Sequence, residues 1–329
     1  MTSTIKDISK DTGLSLGTIS KYLNHKPVSE KSRVLIEESI RRLDYTPNSA
    51  AQALRSKSSH CICIFTPDIS DYHFGRESNY IMQAMREKGY STIIRSYSSL
   101  PGTEREDITF LENRQIDGVI LFSRITYPPL LLTYLNNRNL PFVCMHQKPG
   151  FPSDFAGFKD RLSGRMAASH LLSYGHRKIL LLGLDSYSSS QKIDGFLEIC
   201  QQNGVDASQL SIILFPNLEL LKEYTLSFSQ DDMPSAVLFL DHFTSLPFLG
   251  TFLNQNAAPV SIVAFDDDEI FSAVTPPITV ISQDDQQLGF QAASLLYRRI
   301  SGDYSDFPSS ELVSASLLER ESVFVIPKE

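Results

Sequence analysis

From Cys61 onward, short apolar runs alternate with amphipathic segments at a spacing that few folds can satisfy. The runs are Cys61–Phe65, Ser91–Ile94, Gly118–Phe122, Pro141–Met145, Lys178–Leu182, Ser211–Phe215, Ala236–Leu240 and Ser261–Phe265. Between them lie helical stretches such as Asn79–Lys88, Arg105–Arg114, Arg161–Tyr174 and Gln286–Ile300. Apolar strands separated by helices predict parallel sheets covered on both faces. The stretch is too long for one sheet of five or six strands, so it predicts two sheets with a cleft between them. The two halves are not similar enough to be a repeat.

The first 60 residues obey a different pattern. Ile5, Ile8 and Thr12 recur at helical spacing before the break at Gly13-Leu14-Ser15. Ser15 is placed to cap a second helix, Leu16 to Asn24, with Ile19 and Leu23 facing inward. Ser29 caps a third, whose apolar stripe is Val34/Leu35, Ile36, Ile40 and Leu43. Two helices joined by a tight glycine-containing turn, with a third packed across them, predict a helix-turn-helix. Thr46-Pro47-Asn48 ends this unit. The Ala-rich segment that follows has one large apolar residue, Leu54, and too little apolar surface for a stable helix alone. It reads as a conditional helix and linker.

Charge sharpens the division. The chain carries a formal net charge of −8, yet residues 1–60 hold ten Lys/Arg against six Asp/Glu, leaving twenty against thirty-two for the rest. A basic head on an acidic body fits a local contact with nucleic acid. Cys61, Cys63, Cys144 and Cys200 form no CxxC pair and no zinc spacing, which suits buried thiols in a reducing compartment. No apolar run is long enough to span a bilayer, and Met1–Asp7 lacks the apolar core of a signal peptide, so the expected location is the cytoplasm. Walker and HExxH motifs are absent, so no enzyme, cofactor or metal centre is expected.

Several motifs in order carry a resemblance. The run Ile5 to Asn24, then Val28-Ser29, Arg33-Val34, Leu43-Asp44-Tyr45-Thr46-Pro47-Asn48 and Ala53-Leu54, resembles the headpiece of the LacI/GalR family of regulators. Ile116-Asp117-Gly118-Val119-Ile120, Tyr174-Gly175-His176-Arg177-Lys178-Ile179, Val263-Ala264-Phe265-Asp266-Asp267 and Pro276-Pro277-Ile278-Thr279 extend it along the body. The resemblance implies an all-α helix-turn-helix headpiece (residues 1–48), a hinge (49–58) and an α/β two-lobed body similar to periplasmic binding proteins (59–329). The first lobe would take residues from about 60 to 158 plus about 284 to 315. The second would take about 159 to 283 and the C-terminal segment. It also implies a homodimer, or a tetramer, on near-palindromic double-stranded operator DNA.

The resemblance assigns roles residue by residue. Leu16, Gly17 and Lys21 fall where such regulators read bases. Lysine lacks the bidentate fork of arginine, and Gly17 has no side chain to read with. Ser15, Thr18, Ser20, Asn24, Ser29 and Ser32 suit phosphate contacts, and Ser15 and Ser29 also suit helix caps. Leu54 would wedge into the minor groove, with Arg55 near phosphate. In the cleft, Tyr72, Phe74, Lys192, Asp241 and Asp266 fall at effector positions, with His73 between the two aromatic residues. Lys192 stands where relatives often carry Arg, and Leu240-Asp241 where they often have Asn-Asp. The implied effector is a sugar or sugar derivative, and the implied function is repression of a carbohydrate operon. Corepressor- or phosphoprotein-dependent control is the alternative, and a sugar-binding protein without a DNA role is the more distant one.

Overall fold

The structure is a computed structural model of the 329-residue chain, and it describes residues 3–23, 27–45, 58–97, 103–123, 126–227, 234–253 and 260–326. The chain divides into two compact units, Met1–Ser59 and His60–Glu329.

The first unit contains helices α1 (Ile5–Thr12), α2 (Leu16–Leu23) and α3 (Glu30–Arg42). Each begins where a side chain satisfies the orphan N–H groups of a helix start. Asp7 accepts from the Thr4 backbone N–H at 2.8 Å and from its hydroxyl at 2.7 Å. The Thr18 N–H donates to Ser15 Oγ at 3.2 Å, and the Ser32 N–H to Ser29 Oγ at 3.3 Å. Gly13, at φ 69°, ends α1 in the left-handed conformation that a residue without Cβ adopts freely. One fully buried isoleucine per helix, Ile8, Ile19 and Ile36, builds the core, with Ile5, Leu14, Leu23, Ile40 and Leu43 packed around it. Val34 and Leu35, expected in the α3 stripe, are exposed instead. They fall outside the arc that Ile36, Ile40 and Leu43 share at spacings of four and three.

The second unit holds two six-stranded sheets. The first has the order β11-β5-β4-β3-β1-β2: β1 (Cys61–Thr66), β2 (Ser91–Ser96), β3 (Gly118–Phe122), β4 (Phe142–Met145), β5 (Asp154–Phe158) and β11 (Ser310–Val313). All its pairings are parallel. The second has the order β12-β10-β9-β8-β6-β7: β6 (Ile179–Leu184), β7 (Leu210–Phe215), β8 (Ala236–Phe239), β9 (Ser261–Phe265), β10 (Thr279–Gln283) and β12 (Ala315–Leu318). Only β12 runs antiparallel. Central strands β3, β6, β8 and β9 are buried along their whole length, while edge strands β2 and β7 are partly open. This is the burial that parallel sheets between two helix layers require.

The covering helices used below are α4 (Tyr72–Glu87), α5 (Glu104–Asn113), α6 (Pro129–Asn137), α7 (Asp160–Ser173), α8 (Tyr187–Gln202), α9 (Leu218–Ser227), α10 (His242–Leu253), α11 (Glu269–Ala273) and α12 (Asp285–Ile300). Leu288, Ala292, Leu295 and Leu296 of α12 pack on the first sheet with Ile81 and Met85 of α4. A buried ion pair ties α12 to β5: Arg299 Nε and Nη2 donate to the two carboxylate oxygens of Asp154 at 2.6 and 2.9 Å. The chain passes between sheets three times, near Lys159, Asp284 and Ser314. The crossings are bonded together. Lys159 N–H donates to Val313 O at 2.8 Å, Lys159 Nζ to Ser314 Oγ at 3.2 Å, and Gln283 Nε2 to Asp160 Oδ1 at 3.2 Å.

Candidate functional site

In open parallel sheets, ligands bind beyond the carboxyl ends of the strands. Here the carboxyl ends of both sheets contribute to one cavity, partly open to solvent, whose lining mixes apolar walls with a few convergent polar groups as small-molecule sites do. His73 and Phe74 follow β1, and His146 follows β4. Ser186, Ser188 and Ser189 follow β6, Asp241 and His242 follow β8, Asp266 follows β9, and Gln283 and Asp285 end β10 and start α12. Phe158, Leu184 and Phe243 supply apolar wall.

Two of these residues sit in a conformation that side chains seldom adopt. Asp266 and His146 both have φ 65°, each just past a strand end. Such strain persists only where surrounding structure enforces it, and it clusters at functional sites.

The cavity is crowded with titratable groups. His242 lies between carboxylates, 3.4 Å from Asp266 by Nδ1 and 3.4 Å from Asp71 by Nε2. Burial works against its protonation, but bonds to Asp266 and Asp71 prevail and its pKa stands at about 9. For Asp266, burial opposes charge, yet His242, His73 and Lys192 hold the carboxyl well below the usual range. His73 Nδ1 lies 3.2 Å from Asp285, which also faces Arg76 at 3.4 Å. The rings of His73 and His242 are 4.5 Å apart between centroids. Deeper in the first lobe, His146 Nε2 meets Glu77 Oε2 at 2.8 Å. Burial pushes Glu77 up to about 7, against the pull of His146.

Of the effector residues expected from sequence, Phe74, Lys192, Asp241 and Asp266 line this cavity. Phe74 is also core, stacked 5.1 Å from Phe122. Lys192 is buried, donates to Leu240 O at 2.7 Å, and lies 4.2 Å from the Phe265 ring centroid. Asp241 has both oxygens occupied by backbone, from Leu184 N–H at 2.7 Å and Thr244 N–H at 2.9 Å, so it braces the start of α10. Tyr72 does not line the cavity. Its side chain is exposed, and its hydroxyl accepts from Arg76 at 3.2 Å. The reason is helical: α4 begins at Tyr72, which turns Tyr72 outward and His73 and Phe74 inward.

His242, Asp71, Asp285, His146 and Glu77 escaped the sequence reading. The available signal was position, since His146 and His242 stand at the carboxyl ends of strands that the apolar runs had marked.

At the other unit, Leu16, Gly17 and Lys21 are exposed on α2, with Gly17 and Lys21 on the side away from buried Ile19, and Ser20 is half-buried. Ser15 and Ser29 cap helices, and Thr18 and Ser32 pair with them at 3.0 and 2.8 Å through their hydroxyls. Asn24, Leu54 and Arg55 lie outside the described residues.

Comparison with known proteins follows the same division. Residues 4–48 match the model of bacterial regulatory proteins of the lacI family. Residues 59–217 match the periplasmic binding proteins and sugar binding domain of the LacI family, and residues 168–323 a periplasmic binding protein-like domain. The chain belongs to the lacI family. This lacI-family chain is 28% identical over 299 residues to the HTH-type transcriptional regulator DegA of Bacillus subtilis, covering 88% of this chain and 89% of DegA. It is 22% identical to the ribose operon repressor of Lactococcus lactis, with 90% of each chain covered. Among solved structures, its fold matches the lac repressor dimer bound to operator and the anti-inducer ONPF (TM-score 0.81, 21% identity, 99% and 100% covered). It also matches a LacI family regulator of Enterococcus faecium with bound ribose (TM-score 0.71, 22% identity, 81% and 100% covered). Among the described residues, no helix of this family member is long and apolar enough to cross a membrane.

Proposed function

We propose that this protein is a transcription repressor that binds operator DNA as a dimer, with its affinity set by a small polar ligand in the cleft. Residues 1–48 act as the DNA-binding head, 49–58 as the hinge, and 59–329 as the receptor. The observation that carries the reading is the exposure of Leu16, Gly17 and Lys21 on α2, backed by the Ile8–Ile19–Ile36 core. An α-helix with one polar, solvent-facing side on a small rigid base fits the major groove.

The receptor half rests on the cavity. Asp266, Gln283 and the serines after β6 offer acceptors and donors, and Phe158 and Phe243 offer apolar faces, a mixture suited to a hydroxyl-rich molecule. The ribose bound to the Enterococcus faecium regulator supports a sugar-type effector here. Gln147 Oε1, in the first lobe, accepts from the Tyr187 N–H of the second at 3.1 Å, and Asp71 meets His242 across the same gap. A ligand that alters these contacts shifts the balance of lobe positions by as much as it prefers one of them.

Selection from random duplex DNA by the full-length protein tests the reading. It should enrich a near-palindromic site. Leu54→Ala should weaken binding to that site at least about tenfold, as loss of a minor-groove wedge would. Asp266→Ala should remove the response to any sugar that shifts DNA affinity of the parent. Recovery of no preferred sequence would refute the repressor reading.

A further inference from the structure

We propose that His73, His242 and Asp266 form a binding site for a zinc-class divalent metal ion that clamps the two lobes together. One imidazole nitrogen from each histidine and one carboxylate oxygen from Asp266 lie within 4.8 Å of one another, and all three residues are buried. Two imidazoles and a carboxylate suit zinc, cobalt, nickel or ferrous iron rather than magnesium or calcium, which take oxygen ligands. Three protein ligands also leave a position for water or an oxygen of a cavity ligand.

Three further observations favour a metal over a histidine–aspartate cluster alone. First, His73 is nine-tenths buried, and its Nε2 has no hydrogen-bond partner among the described residues, while Nδ1 is committed to Asp285. A buried ring nitrogen without a partner is costly unless something binds it. Second, each histidine has a carboxylate on its far side. Asp285 stands at His73 Nδ1, 3.2 Å away, and Asp71 at His242 Nε2, 3.4 Å away. Metal-binding histidines are oriented by such a carboxylate on the nitrogen that does not bind. Third, His242 Nδ1 and Asp266 Oδ2 are 3.4 Å apart. That is longer than a good charge-assisted hydrogen bond of about 2.8 Å. It matches the edge, about 3.4 Å, of a tetrahedron with bonds of about 2.0–2.1 Å.

Charge agrees. Asp71, Asp266 and Asp285 face the site against two nearby cations, Lys192 and Arg76. An ion would displace the proton that His242 holds, and with both imidazoles then neutral a negative charge remains for it to neutralise. His73 belongs to the first lobe, on α4, and His242 and Asp266 to the second, on α10 and after β9. The full ligand set therefore exists only when the lobes meet, so an ion held there favours that arrangement. The ion's role as a regulatory signal rests on the receptor reading above; its binding does not.

Cobalt(II) titration of the full chain tests the site. One ion per chain should bind, giving visible ligand-field absorption without the near-ultraviolet charge-transfer band of thiolate ligation. His73→Gln and His242→Gln should each weaken binding at least about 100-fold. Asp285→Asn, which removes only a positioning carboxylate, should weaken it about 10- to 100-fold, and His170→Gln, a buried histidine elsewhere, should not. Absence of the absorption, a thiolate band, or equal affinity in the two ligand variants overturns the proposal; the parent spectrum decides even if a variant fails to fold. A DNA shift with zinc or with chelator then separates the two readings. Intact metal binding with unaltered DNA affinity keeps the site and counts against the receptor role.

Discussion

Gly164 and Gly195 bring α7 and α8 together backbone to backbone. A Cβ on Gly164 would lie 1.9 Å from the Lys192 carbonyl oxygen, and one on Gly195 would lie 1.9 Å from the Arg161 carbonyl oxygen. The contact is reciprocal, and it fixes the helix that carries Lys192 into the cavity. Neither carbonyl can move without shifting its helix, so Gly164→Ala should destabilise the body by about 3 kcal/mol. Gly75→Ala is the control, since nothing lies within 4 Å of the added carbon. It should be neutral or stabilise by about 0.5–1 kcal/mol through the unfolded state. Urea denaturation of both variants measures the difference, and equal midpoints would dismiss the tight-contact argument.

The Asp154–Arg299 pair is bidentate and almost wholly buried, and Arg299 Nη1 also donates to Asp303 O and Asp306 at 2.7 Å. Removing one partner leaves the other charge buried and unpaired, so Asp154→Asn or Arg299→Met should cost about 3–5 kcal/mol. Arg299→Lys should recover little, because an ammonium cannot span both carboxylate oxygens. Thermal melts that rank lysine with the parent would contradict this.

Stability should also depend on pH through Glu77. Its folded pKa of about 7 lies above the ordinary 4.5, and that of His146 is raised too, because the Glu77 charge outweighs burial. The folded chain therefore holds protons that the unfolded chain has released. This contribution is complete below about pH 4.5 and is lost as pH rises through 7. His146, Asp285 and His73 are the charged neighbours that set it. The melting temperature of Glu77→Gln should fall less than that of the parent between pH 5 and 8, and parallel profiles would exclude Glu77 as the cause.

Ile36→Ala should unfold the head without unfolding the body. Three buried isoleucines hold this small unit, and losing one costs about 2–5 kcal/mol, comparable with the whole stability of a unit of this size. Two separate transitions in calorimetry, with only the lower one lost in the variant, are expected. Loss of both would show that the units fold as one.

How far these features could be read from sequence depended on the kind of signal. Central strands announced themselves because burial on both faces makes them continuous apolar runs, as in Ile179–Leu184. Strands β5, β10, β11 and β12 did not. Asp154-Phe-Ala-Gly-Phe158 and Ser310-Glu-Leu-Val313 are short and interrupted by polar or small residues. The start of α4 was read seven residues late, at Asn79 instead of Tyr72, because Gly75-Arg76-Glu77-Ser78 supplies no large apolar residue to continue the helical spacing. In the cavity, Asp266 was legible through a motif. His73, His242 and Asp285 were not brought together, because they come from separate elements far apart in the chain, and no local spacing records that meeting.

The pairing of β5 with β11 sets the order in which the protein can be made. Asp154 bonds to Arg299 and to the Ser309 N–H, and Phe155 to Ala156 register with Ser310 and Glu311. The first lobe therefore stays unfinished on the ribosome until some 150 further residues have emerged, about 8–30 s of synthesis. Throughout that interval the β5 edge stands open, and the nascent chain is most in need of a chaperone while its second lobe is still being translated.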